Sequence, residues 1–102
     1  MFEEVLKASR VIDLFEIYGD LLAEKQKAYI KSYYLYDLSL KEIAEEYKIS
    51  RASVLDTLNQ ATKKLEEFEN SLHLLEKRAQ IREIIHSKKK KNEIIEEIER
   101  IL

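Results

Sequence analysis

The chain has 102 residues, of which 45% are hydrophobic and 37% charged, with a net charge of −2, one Gly, no Pro and no Cys. This length allows one domain with a single core, and the near absence of Gly and Pro excludes sheet hairpins and predicts an all-α fold. The missing Cys excludes disulfides, no apolar run approaches the roughly 20 residues of a membrane span, and we expect a cytoplasmic protein.

The apolar spacing predicts five to six helices. The first spans about 2–18 and ends before Gly19, a natural residue for the left-handed position that follows a helix. Its apolar stripe comprises Phe2, Val5, Leu6, Ser9, Ile12, Phe15 and Ile17. A second helix over about 24–36 carries Tyr29, Ile30, Tyr33, Tyr34 and Leu35, whose spacing favours core packing over stacking on bases.

Residues 39–65 carry a helix-turn-helix pattern. Ser39 and Glu42 form a capping box before a third helix over about 40–47, and Ser50 caps a fourth over about 51–70. Lys48 lies in the turn, where Gly often adopts a left-handed backbone at lower steric cost. The helices are expected to cross at a small side chain, and the predicted core of the motif is Ile43, Ala44, Ile49, Val54 and Leu58.

The apolar periodicity restarts at Leu72 and predicts a fifth helix to about His86, after which Asn92 is positioned to cap a sixth. We therefore expect one domain over 1–102, with helices and motif in 1–71 and a C-terminal helical extension in 72–102. Its aliphatic face predicts a homodimer: Ile84, Ile85, Ile94, Ile95, Ile98, Ile101 and Leu102. The alternative is a monomer whose last helix folds back over Phe2, Val5 and Phe15.

Several segments resemble the YlxM family of helix-turn-helix proteins: LAEKQ at 22–26, YY at 33–34, DLSLKEIAEEYKISRASV at 37–54 and LEEFENSLHLL at 65–75. Residues 22–65 are also similar to the DNA-binding fourth region of bacterial sigma factors. The family is known mainly from the proximity of its genes to those of the signal recognition particle pathway. The resemblance implies a DNA-binding or regulatory role, or an accessory role toward the particle's RNA or GTPase.

The fourth helix offers a polar face opposite its core line, with Asp56 at its centre. Arg51 lies at the helix start, where a phosphate is expected, and Asn59 and Gln60 are suited to adenine edges. The candidate nucleic-acid-binding residues are Arg51, Ser53, Asn59, Gln60, Lys63 and Lys64. The alternative is a solvated helix face on a fold used for protein contact, such as a dimeric adaptor without sequence-specific DNA recognition.

Charge is unevenly distributed along the chain. Residues 37–71 hold five Lys or Arg against eight Asp or Glu, whereas residues 72–102 hold eight against six. Because phosphate contacts supply most of the affinity for DNA, this balance argues against a strong stand-alone DNA binder. An alternative basic patch for RNA or DNA comprises Arg82, Lys88, Lys89, Lys90 and Lys91, and the other interpretation of this run is a solvated linker.

Catalytic chemistry has no visible basis in the sequence. His73 and His86 have no carboxylate at a spacing typical of metal ligands, and the single Gly excludes a Gly-rich phosphate loop. We expect no enzyme activity, no cofactor and no metal. The expected partners are duplex DNA, the signal recognition particle RNA or GTPase, and a second copy of the chain.

Overall fold

The computed structural model describes the backbone of residues 2–102 and the side chains of residues 6–102. Six α-helices and no strand occur in this part of the chain, which confirms the predicted all-α fold. The α-helices are α1 (Phe2–Tyr18), α2 (Glu24–Ile30), α3 (Leu40–Tyr47), α4 (Arg51–Leu72), α5 (Leu74–Ile85) and α6 (Lys91–Ile101). None of these helices combines the length and the apolar character that crossing a membrane requires.

The core lies where α1, α2 and α3 pack against α4. Its fully buried side chains include Leu14 and Tyr18 from α1, Ile30 from α2, Ile43 from α3 and Leu65 from α4. The predicted motif core is confirmed, since Ile43, Ala44, Val54 and Leu58 are buried and Ile49 packs partly buried against them. Within the predicted stripe of α1, the side chains of Phe2 and Val5 lie outside the described residues.

Gly19 ends α1 as predicted, but the reason differs from the predicted one. It opens a 3₁₀ turn over Gly19–Leu21, and its φ is not positive. A Cβ atom built on Gly19 would lie 2.9 Å from Cε1 of Phe15, closer than side-chain carbons normally approach. The glycine is therefore required by its contact with the Phe15 ring and not by a left-handed backbone.

Replacing Gly19 with Ala should lower the free energy of unfolding by about 1 kcal/mol, because the new methyl group pushes the Phe15 ring out of its packing position. Thermal melts of the two proteins measure the effect. In a Phe15→Leu background no ring faces the new methyl group, so there the same substitution should be nearly neutral. Equal losses in both backgrounds would contradict the steric explanation.

The aromatic segment after α2 continues as a π-helical turn over Lys31–Leu35. Core packing is confirmed for Tyr29 and Ile30, which are fully buried, but Tyr33 and Leu35 are exposed. The wider π turn explains the difference, because it advances each side chain by less than 100° and breaks the predicted α-helical spacing. Ser32 is buried in their place, and its carbonyl accepts a bond from the amide of Leu38 at 3.0 Å.

The C-terminal extension begins two residues later than predicted. α4 runs on to Leu72, and His73 breaks the helix with a left-handed backbone at φ 56°. Asn92 does not cap α6, since the N-cap is Lys90 and makes no side-chain capping bond. The connection after His86 is already long enough to reverse the chain, so the helix begins before the Asn.

The extension gives the molecule an elongated shape. The radius of gyration is 17.2 Å and the principal extents are 56 × 26 × 18 Å, whereas a compact chain of this length has a radius of gyration of about 13 Å. α5 contacts α1 and α6 packs against α5, so the expected fold-back of the last helix over α1 is not the main contact of α6. This arrangement leaves the α5–α6 hairpin largely uncovered.

Candidate nucleic-acid interface

The turn of the helix-turn-helix is fixed by three backbone devices. The Ser39 hydroxyl accepts from the Glu42 amide at 3.0 Å while the Glu42 carboxylate accepts from the Ser39 amide at 3.0 Å, as the capping-box prediction requires. Lys48 adopts the left-handed conformation at φ 57°. Ser50 then accepts from the Ser53 amide at 3.0 Å and begins α4. The angle between α3 and α4 is thus set locally by capping and by one left-handed residue.

Three cationic side chains surround a shallow depression beside this turn. Lys41 on α3, Lys48 in the turn and Arg51 at the start of α4 line a volume of about 550 Å³, together with Glu45 on the α3 side. All four side chains are exposed. The Lys side chains were not recognised as site residues in the sequence, although Lys41 and Lys48 are seven residues apart and so share one face of α3. Folding therefore concentrates positive charge at the start of α4.

The predicted polar face of α4 is exposed to solvent. Ser53, Asn59, Gln60 and Lys63 are all exposed, whereas Lys64 is half-buried on a different side of the helix. The Ser53 hydroxyl is engaged by the Ser50 hydroxyl at 2.9 Å. Asp56 is also exposed and accepts a bond from the Gln60 side-chain amide at 3.2 Å. The face thus presents amide and ammonium groups around one carboxylate.

The acidic residues of the motif mostly point elsewhere. Glu42 caps α3, and its two bonds with Ser39 lower the pKa of its carboxyl. Glu66 binds Arg10 of α1 through two bonds, at 3.0 and 2.9 Å. Glu69 is buried between helices. The count of eight carboxylates against five cations therefore overstates the negative charge near the start of α4, where Glu45 and Asp56 are the carboxylates that remain.

Glu69 anchors α5 to the rest of the fold. Its carboxylate accepts from the Tyr18 hydroxyl at 2.6 Å, from the Leu75 amide at 2.9 Å and from the Glu76 amide at 3.1 Å. Burial alone raises the pKa of the Glu69 carboxyl, but these three hydrogen bonds outweigh it and hold the pKa below its ordinary value. The Tyr18 hydroxyl in turn accepts from the Leu74 amide at 3.0 Å. Two buried side chains thus cap the first turn of α5.

His73 is closer to carboxylates than the sequence interpretation allowed. Glu69 and Glu76 are four residues before it and three after it, and one ligand atom from each of these three residues lies within 4.8 Å of the others. The prediction that no carboxylate stands at ligand spacing was wrong, because the left-handed turn at His73 folds the start of α5 back toward Glu69. The oxygens of Glu69 are occupied by the bonds that cap α5, so the cluster has a structural explanation.

The alternative basic patch lies on α5 and the α5–α6 connection. Arg82 is exposed on α5, and the run Lys88–Lys91 is exposed from the connection into the first turn of α6. Lys89 pairs with Glu97 of α6. No hydrogen bond or ion pair between described side chains joins this patch to the polar face of α4. The two predicted groups of residues are therefore separate surfaces.

Comparison with known proteins places the chain among proteins with this motif. A family model described as "Putative helix-turn-helix protein, YlxM / p13 like" matches residues 5–102. A UPF0122 protein of Shouchella clausii is 51% identical over 71 residues, which cover 70% of this chain and 65% of the relative. A UPF0122 protein of Lactococcus lactis subsp. cremoris is 49% identical over 71 residues, covering 70% of this chain and 64% of the relative.

A longer alignment is made with a UPF0122 protein of Streptococcus gordonii, which is 42% identical over 97 residues covering 92% of this chain and 88% of the relative. The first two alignments span less than two thirds of the relatives' own length. They cover the residues of similar sequence and assign no activity to them, because the names of the relatives state none.

Proposed function

The chain belongs to the family of helix-turn-helix proteins described as YlxM- and p13-like, and from this premise we propose that it is a regulatory protein that binds duplex DNA. In this proposal α4 enters the major groove and its exposed polar face meets the base edges. The proposed function is binding and not catalysis, and it places the protein in the cytoplasm.

The observation that carries the proposal is the group of three cations at the start of α4. Lys41, Lys48 and Arg51 line one depression and come from both helices of the motif and from the turn. A DNA phosphate in this position would be bound on the side from which α4 approaches the groove. Contacts of this kind fix the register of the protein on the duplex, and base contacts then add specificity.

Base contacts are proposed for the residues that the sequence nominated on α4. Asn59 and Gln60 carry amides that suit the edge of adenine, and Lys63 suits guanine or a phosphate. Ser53 is within reach of the backbone from the first turn of the helix. Lys64 is half-buried on another side, so we give it a supporting contact with the phosphate backbone and no base contact.

Asp56 is the test residue for this orientation, because it is the carboxylate at the centre of the exposed face of α4. Replacing Asp56 with Asn should tighten binding to a duplex selected from a random library by about three- to tenfold, since one charge that repels phosphate is removed. Fluorescence anisotropy at fixed salt measures the effect. Glu67→Gln, an exposed carboxylate eleven residues further along α4, is the matched control. No enrichment of any duplex, or equal effects of both substitutions, would contradict the proposal.

A second candidate function is supported by the exposed Lys run. Lys88, Lys90 and Lys91 make no ion pair with a described side chain, and such a cluster suits an RNA backbone. This function is an accessory role in the signal recognition particle pathway, through its RNA or its GTPase. Pull-down from a lysate with and without nuclease separates the two partners, because a nuclease-sensitive complex requires a nucleic acid.

We also propose that the protein is a homodimer joined through its C-terminal helices. The main support is that neither α5 nor α6 contains a buried residue, although both carry apolar stripes. A dimer would present two copies of α4 at a fixed separation, which a palindromic duplex requires. Sedimentation equilibrium tests the dimer directly, and a single species near 12.1 kDa would refute it.

A further inference from the structure

The uncovered face of the α5–α6 hairpin is the largest apolar feature that the proposed DNA contact does not use. Ile85 is 53% exposed, Ile95 is 47% exposed and Leu102 is 81% exposed. Monomeric proteins rarely leave a contiguous apolar stripe of this kind in water. An isolated helical hairpin also has too little core to fix its own geometry, so a second element is expected to cover it.

The exposed aliphatics lie on one side of the hairpin. In α6, Ile94, Ile98 and Ile101 are half-buried against α5, and Ile95 with Leu102 form the adjoining edge of the helix. In α5, Ile84 is half-buried and Ile85 forms the adjoining edge in the same rotational sense. Because the short connection makes the two helices antiparallel, both edges face the same side.

Charges of opposite sign border this face on its two helices. Arg82 lies one turn before Ile85 on α5, and Glu99 lies between Ile95 and Leu102 on α6. Neither makes an ion pair with a described side chain. The stretch 74–91 holds seven Lys or Arg against two Glu, whereas 92–102 holds four Glu against one Arg. One arm of the hairpin is therefore basic and the other acidic.

We propose that two copies of the chain pack these faces about a twofold axis as a four-helix bundle in which α5 of each copy lies beside α6 of the other. The inference rests on the proposed homodimer and specifies its arrangement. Each basic helix then has acidic neighbours, and like-charged helices lie diagonally across the bundle. The other twofold arrangement, α5 beside α5, would bring Arg82 against Arg82 of the partner subunit and Glu99 against Glu99 of the partner subunit.

Charge reversal distinguishes these arrangements. In the proposed bundle, Arg82→Glu faces Glu99 of the partner subunit and should raise the dimer dissociation constant about tenfold or more, because the contact occurs twice. Glu99→Lys should do the same. The double variant Arg82→Glu with Glu99→Lys restores opposite charges and should recover most of the affinity. Sedimentation equilibrium over a concentration series in the full-length protein measures all four constants.

Glu83→Lys is the matched control, since Glu83 is exposed on the opposite side of α5 and its reversal should leave the constant unchanged. Circular dichroism checks that every variant keeps its helix content. A dimer that is indifferent to the single reversals, or a double variant weaker than either, would overturn the arrangement. A wild-type monomer at micromolar concentration would overturn the dimer itself. The measurement contains no DNA, so neither result depends on whether the motif binds a duplex.

Discussion

Replacing Glu69 with Gln should lower the free energy of unfolding by about 2–3 kcal/mol. The buried carboxylate accepts from the Tyr18 hydroxyl and from the amides of Leu75 and Glu76. A Gln side chain keeps the size but turns one acceptor into a donor, which leaves at least one of these groups unsatisfied, and hydrogen bonds to a charged group are among the stronger ones. For a chain of this size the melting temperature should fall by about 10 °C.

Glu67→Gln is the matched control, because Glu67 is exposed two residues earlier on the same helix. It should melt within about 2 °C of the wild type, as expected for an exposed substitution. Tyr18→Phe removes one donor and leaves the two amide bonds, so its loss should be smaller than that of Glu69→Gln. Melting temperatures that do not separate Glu69→Gln from Glu67→Gln would show that the Glu69 carboxylate does not anchor α5.

The same residue predicts a pH dependence. Because the pKa of the folded Glu69 carboxyl is lowered from its ordinary value of 4.5, its contribution to stability is complete above that value. The contribution is lost as the pH falls through the lower, folded pKa. The wild type and Glu69→Gln should therefore differ by a constant amount near neutral pH and converge in acid. Urea titrations between pH 3 and pH 7, a range of about four units around the ordinary Glu value, measure this convergence.

Local signals in the sequence were sufficient for the motif. The capping box at Ser39 and Glu42 predicts the start of α3, and Ser50 predicts the start of α4, because each is decided by bonds within four residues. Helix ends that depend on contacts distant in sequence were missed. The π turn at Lys31–Leu35 and the break at His73 have no such local signal, and the second is held by Tyr18, 56 residues from Leu74.

The candidate site was predictable only in part for the same reason. The exposed face of α4 follows from helical periodicity, so Asn59, Gln60 and Lys63 were placed correctly on the surface. Lys41 and Lys48 were missed, because their approach to Arg51 depends on the angle between two helices. The charge count of the motif misled for a related reason: Glu66 and Glu69 point toward α1 and cannot be recognised as such without the packing of the helices.

The second large effect is expected for the three cations at the start of α4. Replacing Lys41, Lys48 and Arg51 together with Gln should weaken binding to a selected duplex about a hundredfold, since each exposed charge contact contributes about 1 kcal/mol. Lys41 and Arg51 are exposed on helix surfaces and Lys48 is exposed in the turn, so the fold should survive. Anisotropy titrations at several salt concentrations give both the affinity and its salt dependence.

The salt dependence identifies the origin of the loss. Each phosphate contact removed should reduce the slope of log K against log salt by about 0.9, so the triple variant should lose about 2.7. The matched control replaces Lys88, Lys90 and Lys91 with Gln, which removes the same charge from the α5–α6 connection. If the two triple variants lose equal affinity, net charge alone governs binding and α4 is not the reader. If only the control loses affinity, the nucleic-acid site lies at the C-terminal end, because the phosphates released would then be those bound by the Lys run.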